Sequence, residues 1–245
     1  MNYKPIIIIA GEPYSIFLEI FFKAKKNNNF KKPIIMIVSK KLIMQQMKKL
    51  GFNFKINLID KNKVDFKKLN NKEINIINVD FKFKKVFDKI SDKSNSYISE
   101  CFSLGLKLLK KDKYAGLING PISKRNFLKG GFLGITEYLA NKTNKKDKVA
   151  MLIYNKKLSV SPVTTHLPVK EIHKNLTKIK IINHIKLINQ FYKKEFNKNP
   201  KIAITGLNPH CESNFKDCEE DAIIIPAIKL LKINNFKVGD RFEKF

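Results

Sequence analysis

The sequence has only three cysteines in 245 residues, Cys101, Cys211 and Cys218. Their number is odd and no two have the Cys-x-x-Cys spacing, which argues against a disulfide framework and favours reduced thiols. Cys211 directly follows His210, so a soft-metal role stays open for it beside its interpretation as a small loop residue.

Long apolar runs are also missing. No run approaches the roughly 20 residues that a membrane helix needs. The first residues, Met-Asn-Tyr-Lys-Pro, lead straight into an isoleucine-rich run and lack the layout of a signal peptide. We therefore expect a cytoplasmic protein without a membrane partner.

Arginine is nearly absent, although the formal net charge is +28. Only Arg125 and Arg241 are arginines, so 47 of the 49 basic residues are lysines, and these are spread along the whole chain. Bidentate recognition of bases and phosphates favours arginine. We expect no specific nucleic-acid partner, only weak salt-sensitive binding, and a lysine-rich surface that attracts small phosphorylated metabolites. An RNA-associated protein is the less favoured alternative.

The chain also lacks internal repeats, a flexible linker rich in Pro, Ser or Gly, and the Gly-x-Gly-x-x-Gly dinucleotide motif. The glycine-rich residues 130–134 do not have that spacing. What is present is 43% hydrophobic residues, enough for a substantial core.

Short apolar runs alternate with amphipathic stretches, which predicts an α/β fold with a mostly parallel sheet and flanking helices. The predicted strands are residues 5–10, 34–39, 54–59, 74–79, 114–118, 150–154, 158–163 and 201–205. The predicted helices are residues 16–24, 42–50, 94–111, 136–141, 169–176, 178–194 and 221–234. Thr136 is the expected capping residue of its helix, and the apolar face of residues 94–111 is expected to be core or interface.

Two histidines follow predicted strands. His166 comes after residues 158–163, and His210 comes after residues 201–205 and the turn Asn-Pro. Ligands bind at the carboxyl ends of strands in open α/β sheets, so both histidines are candidate ligands of a divalent metal. Two imidazoles make an incomplete set, to which Glu212 or Asp217 could add a carboxylate; ordinary loop residues remain the alternative.

Other polar residues carry weaker signals. Lys124 follows a Gly-Pro turn near a predicted helix start, where a phosphate could bind. His173 and His184 lie on predicted helices and are interpreted as surface or hydrogen-bonded histidines.

Several of these stretches resemble motifs of the 4-hydroxythreonine-4-phosphate dehydrogenase family, which acts in pyridoxal phosphate biosynthesis. The matches cover nearly the whole chain: Gly-Glu-Pro at 11–13, Gly-Pro-Ile-Ser-Lys at 120–124, Gly-Ile-Thr-Glu-Tyr-Leu-Ala at 134–140, Thr-Thr-His-Leu-Pro at 164–168, Gly-Leu-Asn-Pro-His at 206–210 and Ile-Pro-Ala-Ile at 225–228. Each motif alone is weak, but together they are specific.

The resemblance implies an architecture like that of isocitrate and isopropylmalate dehydrogenases, with a first α/β domain over residues 1–125 and a second over 126–245 that carries the metal and substrate loops and the dimer interface. It implies a homodimer, NAD as cofactor, and a divalent metal (Zn, Mg or Co) held by His166 and His210. It also implies that Thr136 binds a phosphorylated amino-acid substrate, 4-phosphohydroxy-L-threonine, which is oxidised and decarboxylated. Lys124, a candidate from its own position, would bind the phosphate of that substrate.

The sequence departs from the family pattern in the opening loop, where Tyr14, Ser15 and Phe17 replace glycines, in the tail from Val238 to Phe245, and at two further places that bear on the site. Ile135 stands where the family has a histidine, and the family's Tyr-His-Asp-Gln-Gly motif, the source of a third metal histidine, does not occur before Phe245. We therefore expect an architecture incomplete at its carboxyl end, with weakened metal binding and slow or absent turnover. A catalytically inactive binding protein of the same fold remains the alternative.

Overall fold

The computed structural model describes residues 4–146, 148–208 and 218–239. The chain forms two compact units, Met1–Phe132 and Leu133–Phe245, which are described separately below. Among the helices in these residues, none combines the length and apolar character required to cross a membrane.

The first unit is built on a five-stranded parallel sheet. Its elements are β1 (Ile6–Ile9), α1 (Phe17–Asn27), β2 (Ile34–Val38), α2 (Lys40–Lys49), β3 (Ile56–Leu58), β4 (Ile74–Asn78), α3 (Asn95–Leu109) and β5 (Gly116–Asn119). The strand order is β3-β4-β2-β1-β5, and every pairing is parallel. The predicted α/β class with a mostly parallel sheet and flanking helices is confirmed.

Strand β1 consists of four isoleucines and lies inside the sheet, between β2 and β5. Strands covered on both faces carry continuous apolar runs, because neither face meets water. On one side of the sheet, Phe22 of α1, Ile43 of α2 and Met36 of β2 belong to the same buried cluster. Helices α1 and α2 therefore cover one face of the sheet with their apolar stripes.

Helix α3 places its apolar face against the sheet of its own unit. A Cβ added to Gly105 would lie 2.9 Å from Cδ1 of Ile9, so the glycine permits a close approach of α3 to β1. Tyr97, Cys101 and Phe102 are buried in this contact, and burial raises the pKa of the Cys101 thiol to about 12. The face predicted as core or interface is therefore core.

The second unit is mainly helical in its described residues. Its elements are α4 (Ile135–Lys142), α5 (Val169–Asn175), α6 (Lys178–Phe196), β6 (Ile202–Ala203), α7 (Ile225–Ile233) and β7 (Val238–Gly239). Strands β6 and β7 pair in parallel. Ile181 and Ile185 of α6 share a buried cluster with Ala227 and Leu231 of α7, so these two helices form the core of the unit.

The predicted strands 150–154 and 158–163 are wrong. Within residues 150–163, all of which the structure describes, one antiparallel bridge joins Ile153 and Val160 and no ladder extends it. The Ser159 hydroxyl bonds the Asn155 carbonyl and the Ser161 hydroxyl bonds the Met151 carbonyl, so side chains satisfy the backbone locally. Pro162 has no N–H to extend a ladder.

Other element ends differ from the sequence prediction. Strand β6 has two residues where residues 201–205 were predicted. A π-helical turn, Glu220–Ile224, precedes α7. The division into domains 1–125 and 126–245, with metal loops and a subunit interface on the second, stays a prediction.

Candidate metal site

His166 lies on a tight turn of the second unit. Its backbone φ is +58°, the left-handed region that non-glycine residues rarely adopt. Its side chain is exposed. Such outliers persist where the surrounding structure fixes them and are common at functional sites.

The His166 ring lies beside Gly134, which precedes α4. A Cβ added at Gly134 would be 3.1 Å from both Nε2 and Cδ2 of His166, and 2.9 Å from Oε2 of Glu137. Because one point lies that close to both side chains, His166 Nε2 and Glu137 Oε2 are at most about 6 Å apart. The His166 ring and the Glu137 carboxyl group therefore both pack closely against Gly134, where any side chain would force one of them to move.

Glu137 is fixed from one side only. The Thr165 hydroxyl donates to Glu137 Oε1 at 3.2 Å. The other oxygen, Oε2, is buried and has no hydrogen-bond partner in the described part of the chain. Sequence reasoning missed Glu137, since the contact partners that reveal it, Thr165 and His166, come nearly thirty residues later in the chain.

Thr136 is the second residue of α4 and is half-buried. The prediction that it caps the helix is wrong, because Gly134 is the N-cap and no side chain caps the helix there. Its hydroxyl is therefore not required for capping. Ile135, the residue before it, is also half-buried.

His210 lies outside the described residues, as do Cys211, Glu212 and Asp217. The loop that leads to His210 is described as far as Asn208. Oε1 of Glu220 accepts the backbone N–H groups of Leu207 at 2.8 Å and of Asn208 at 2.9 Å, and Oε2 accepts Asn208 Nδ2 at 3.0 Å. Glu220 thus holds the final described turn before His210.

The contacts of Glu220 also shift the pKa of its carboxyl group. Burial by itself would raise the pKa of this carboxyl, but the N–H donors of Asn208 and Leu207 outweigh burial and lower it below its ordinary value. No sequence motif indicated this role, because Glu220 is on the turn before α7 and meets the loop only in three dimensions.

Lys124 belongs to the first unit. It is exposed and opens a π-helical turn, Lys124–Leu128, whose first residues are capped by the Ser123 hydroxyl through Asn126 N–H at 3.2 Å. The preceding loop packs tightly on the turn after β1: Glu12 N–H donates to the Pro121 carbonyl at 2.8 Å. Two of the sequence motifs, at 11–13 and 120–124, are therefore neighbours.

The second unit also contains a cavity of about 740 Å³ between α6 and residues 158–164. Its lining is mostly apolar and includes Ile185, Ile188 and Tyr192. His184 Nε2 lies 2.7 Å from the Ser161 hydroxyl oxygen at this cavity, and burial lowers the pKa of His184, with Lys180 adding to the effect. His184 is thus a buried, hydrogen-bonded histidine, which agrees with its interpretation from the sequence. His173 is exposed on α5.

Across the described residues, no three His, Cys, Asp or Glu side chains converge as a metal site. What the structure does bring together is a pair, His166 and Glu137, at the start of the helix that carries Thr136. An imidazole and a carboxylate suit borderline divalent ions such as zinc and cobalt.

Comparison with known proteins identifies the class to which this fold and these loops belong. The model of the family described as "Pyridoxal phosphate biosynthetic protein PdxA" matches residues 29–242. The chain is 34% identical over 244 residues to the 4-hydroxythreonine-4-phosphate dehydrogenase of Sulfurihydrogenibium sp. (strain YO3AOP1), covering 96% of this chain and 73% of the relative. It is 30% identical over 240 residues to the enzyme of that name from Aquifex aeolicus, covering 96% and 72%. The chain belongs to the PdxA family, which confirms the resemblance.

Solved structures show the same fold. A structure from Salmonella typhimurium matches with a TM-score of 0.83 at 23% identity, covering 96% of this chain and 74% of that one. The 4-hydroxythreonine-4-phosphate dehydrogenase of Klebsiella pneumoniae matches with a TM-score of 0.81 at 22% identity, with the same coverage.

Proposed function

We propose that this chain is an NAD-dependent, divalent-metal-assisted dehydrogenase that oxidises and decarboxylates 4-phosphohydroxy-L-threonine in pyridoxal phosphate biosynthesis, as a homodimer. The family and the names of the Sulfurihydrogenibium and Aquifex relatives support the reaction. One observation carries the proposal: the His166 ring lies against Gly134, the N-cap of the helix that bears Thr136. A candidate metal ligand and a candidate substrate-binding hydroxyl are thereby held at the same helix end.

The residues present fit a divalent metal. His166 offers an exposed imidazole packed against Gly134. Oε2 of Glu137, a buried carboxyl oxygen with no hydrogen-bond partner among the described residues, also lies against Gly134. His166 and, on the loop held by Glu220, His210 are the proposed ligands. A bound divalent ion would stabilise the negative charge that develops on the substrate hydroxyl oxygen during oxidation.

The protein's own groups bind and orient the substrate. Thr136 presents a hydroxyl at the first turn of α4, where backbone N–H groups also favour an anionic group. Lys124 of the first unit is proposed as a cation for the substrate phosphate, because it is exposed and follows a loop that packs against the turn after β1. No residue is assigned as the catalytic base or to the nucleotide.

The test is NADH formation by the full chain with 4-phosphohydroxy-L-threonine, NAD and zinc, cobalt or magnesium. We expect His166→Ala to lower kcat/KM at least a hundredfold. Thr136→Val should lower it about tenfold, because the substrate would lose one hydrogen bond of about 1.4 kcal/mol. His173→Ala removes an exposed histidine of the same unit and should leave the rate unchanged.

D-threonate 4-phosphate is the matched second substrate, because the name of a relative from Oceanobacillus iheyensis, 28% identical over 240 residues, refers to it. Faster turnover of that compound would overturn the proposed substrate but keep the reaction class. Metal binding without NADH formation from either compound would instead favour a catalytically inactive binding protein.

A further inference from the structure

The cavity between α6 and residues 158–164 is large enough to hold a small molecule. Its volume is about 740 Å³, and small-molecule sites commonly have volumes of roughly 300–1,000 Å³. All of its lining residues belong to the second unit. Protein interiors are close-packed and leave few voids larger than a water molecule. A space of this size is therefore better explained as a binding site than as imperfect packing.

The lining of the cavity is mainly hydrocarbon. Ile181, Ile185 and Ile188 line it from α6, and Ile202 and Ile204 line it from the segment around β6. These branched side chains neither donate nor accept hydrogen bonds, so they favour an apolar ligand body. Neither aspartate nor glutamate occurs among the lining residues that the structure describes. The cavity therefore has no carboxylate that would repel an anionic ligand.

The polar side chains beside α6 are bonded to one another. The Ser161 hydroxyl oxygen lies 2.7 Å from Nε2 of His184, and the Tyr192 hydroxyl donates to the Ser159 hydroxyl oxygen at 3.0 Å. Burial lowers the pKa of His184, so the neutral imidazole is favoured at neutral pH. These four residues add no charge to the lining, and a charged group of the ligand has to be bound elsewhere.

Lys201 is the charged residue of the lining. It directly precedes β6 and is exposed, so the cavity meets solvent at this residue. Within the described part of the chain Lys201 forms no ion pair. A charged head group keeps much of its hydration at such an opening, whereas the apolar part of the cavity would remove it. The distribution of charge thus fits a hydrocarbon body with an anionic group at one end.

We propose that this cavity binds a medium-chain fatty acid, with the hydrocarbon chain against α6 and the carboxylate at Lys201. The site is separate from the residues of the proposed reaction, because His166, Thr136 and Lys124 are not among those that line it. The inference therefore holds or fails independently of the dehydrogenase activity.

The test is calorimetric titration of the full chain with octanoate, decanoate and dodecanoate below their micelle concentrations. Salt at about 0.15 M weakens adsorption to exposed lysines. We expect affinity to rise about fourfold per added methylene, because burial of one methylene contributes about 0.8 kcal/mol. A chain that only adsorbs through its carboxylate would show no such rise.

The anionic head is tested by comparing octanoate with octanol, which has the same chain without the charge. We expect Lys201→Met to weaken octanoate binding about threefold to tenfold and to leave octanol binding unchanged. Lys198→Met is the matched control, because Lys198 is exposed in the same unit and does not line the cavity. Equal loss of octanoate binding in both variants, or no loss in Lys201→Met, would overturn the contact with Lys201 and the anionic class of ligand.

The location is tested by filling the cavity. Ala203 lines it and is exposed, so Ala203→Trp occupies the space without displacing a buried side chain. We expect decanoate affinity to fall at least tenfold, whereas Ala222→Trp, at an exposed alanine of the same unit outside the lining, should bind as wild type does. Decanoate binding that withstands Ala203→Trp, or no binding to the wild-type chain, would overturn the proposal. If Ala203→Trp does not fold by circular dichroism, Thr205→Trp decides, since Thr205 also lines the cavity and is exposed.

Discussion

Glu12 is a buried acid that follows the first strand. It is 2% exposed, and its Oε2 accepts a hydrogen bond from the Ser94 hydroxyl at 3.0 Å. Its Oε1 has no hydrogen-bond partner among the residues that the structure describes. Burial raises the pKa of Glu12 above its ordinary value, more than the bonds from Ser94 and Tyr14 lower it. Folding therefore shifts Glu12 toward its protonated form relative to the unfolded chain.

The sign of the resulting pH dependence follows from linkage. A raised folded-state pKa contributes stability that is fully present below the unfolded value of 4.5 and is lost as pH rises through the folded pKa of Glu12. We expect Glu12→Gln to be more stable than wild type at neutral pH, with the advantage shrinking as pH falls through the folded pKa of Glu12 toward 4.5. Urea unfolding of both proteins between pH 4 and pH 8 measures this. Glu100→Gln, an exposed acid of the same unit, should show no such difference, and a pH-independent gap for Glu12→Gln would contradict the assignment.

The residue directly after strand β5, Gly120, is a glycine that the packing requires. A Cβ at Gly120 would collide with the carbonyl of Ala10 and lie 3.0 Å from Cγ of Phe17. Gly116, at the other end of the same strand, has open space where its Cβ would be. The pair is a matched test of the close contact between the two loops at this sheet edge.

We expect Gly120→Ala to lower the free energy of unfolding by about 1–3 kcal/mol, the usual effect of overpacking. Gly116→Ala should change it by less than about 1 kcal/mol and in the stabilising direction, since glycine is unfavourable within strands. Urea denaturation gives both values. If Gly120→Ala changed the free energy of unfolding as little as Gly116→Ala, the two loops could separate at little cost, which would contradict the prediction.

The strands of the first sheet could be predicted from the sequence because they are short continuous apolar runs, as in β1 and β2. Such short runs are typical of strands buried on both faces. It failed at residues 158–163, where Ser159, Ser161 and Pro162 replace ladder bonds with local ones. Among the site residues, a single motif indicated His166, whereas Glu137 and Glu220 act through contacts between distant segments. Such contacts leave no periodic signal in the sequence.

At the scale of the whole molecule, the turn formed by residues 151–160 is an exposed apolar surface. Ile153 is 59% exposed, Leu158 74% and Val160 55%. Clustered apolar side chains at a protein surface commonly mark a protein interface. This turn is our candidate contact for the proposed homodimer, in place of α3, whose apolar face is core.

We expect sedimentation to show a dimer that Leu158→Lys converts to monomer, since a charged ammonium would be buried at the interface. Val169→Lys is the control, because Val169 is 84% exposed on α5 and lies outside the turn. A wild-type monomer at all concentrations would refute the homodimer. A dimer that withstands Leu158→Lys would place the interface elsewhere.

The central position of β1 has a consequence for synthesis on the ribosome. β1 pairs with β2 soon after both emerge, but its other edge pairs with β5, roughly a hundred residues later. At bacterial or eukaryotic elongation rates this edge waits about 5–20 s for its partner. During that interval the nascent chain presents four consecutive isoleucines with an open ladder, the kind of edge that recruits foreign strands. Conditions that slow translation between residues 10 and 116 would therefore lower the yield of soluble protein without changing a single contact of the folded state.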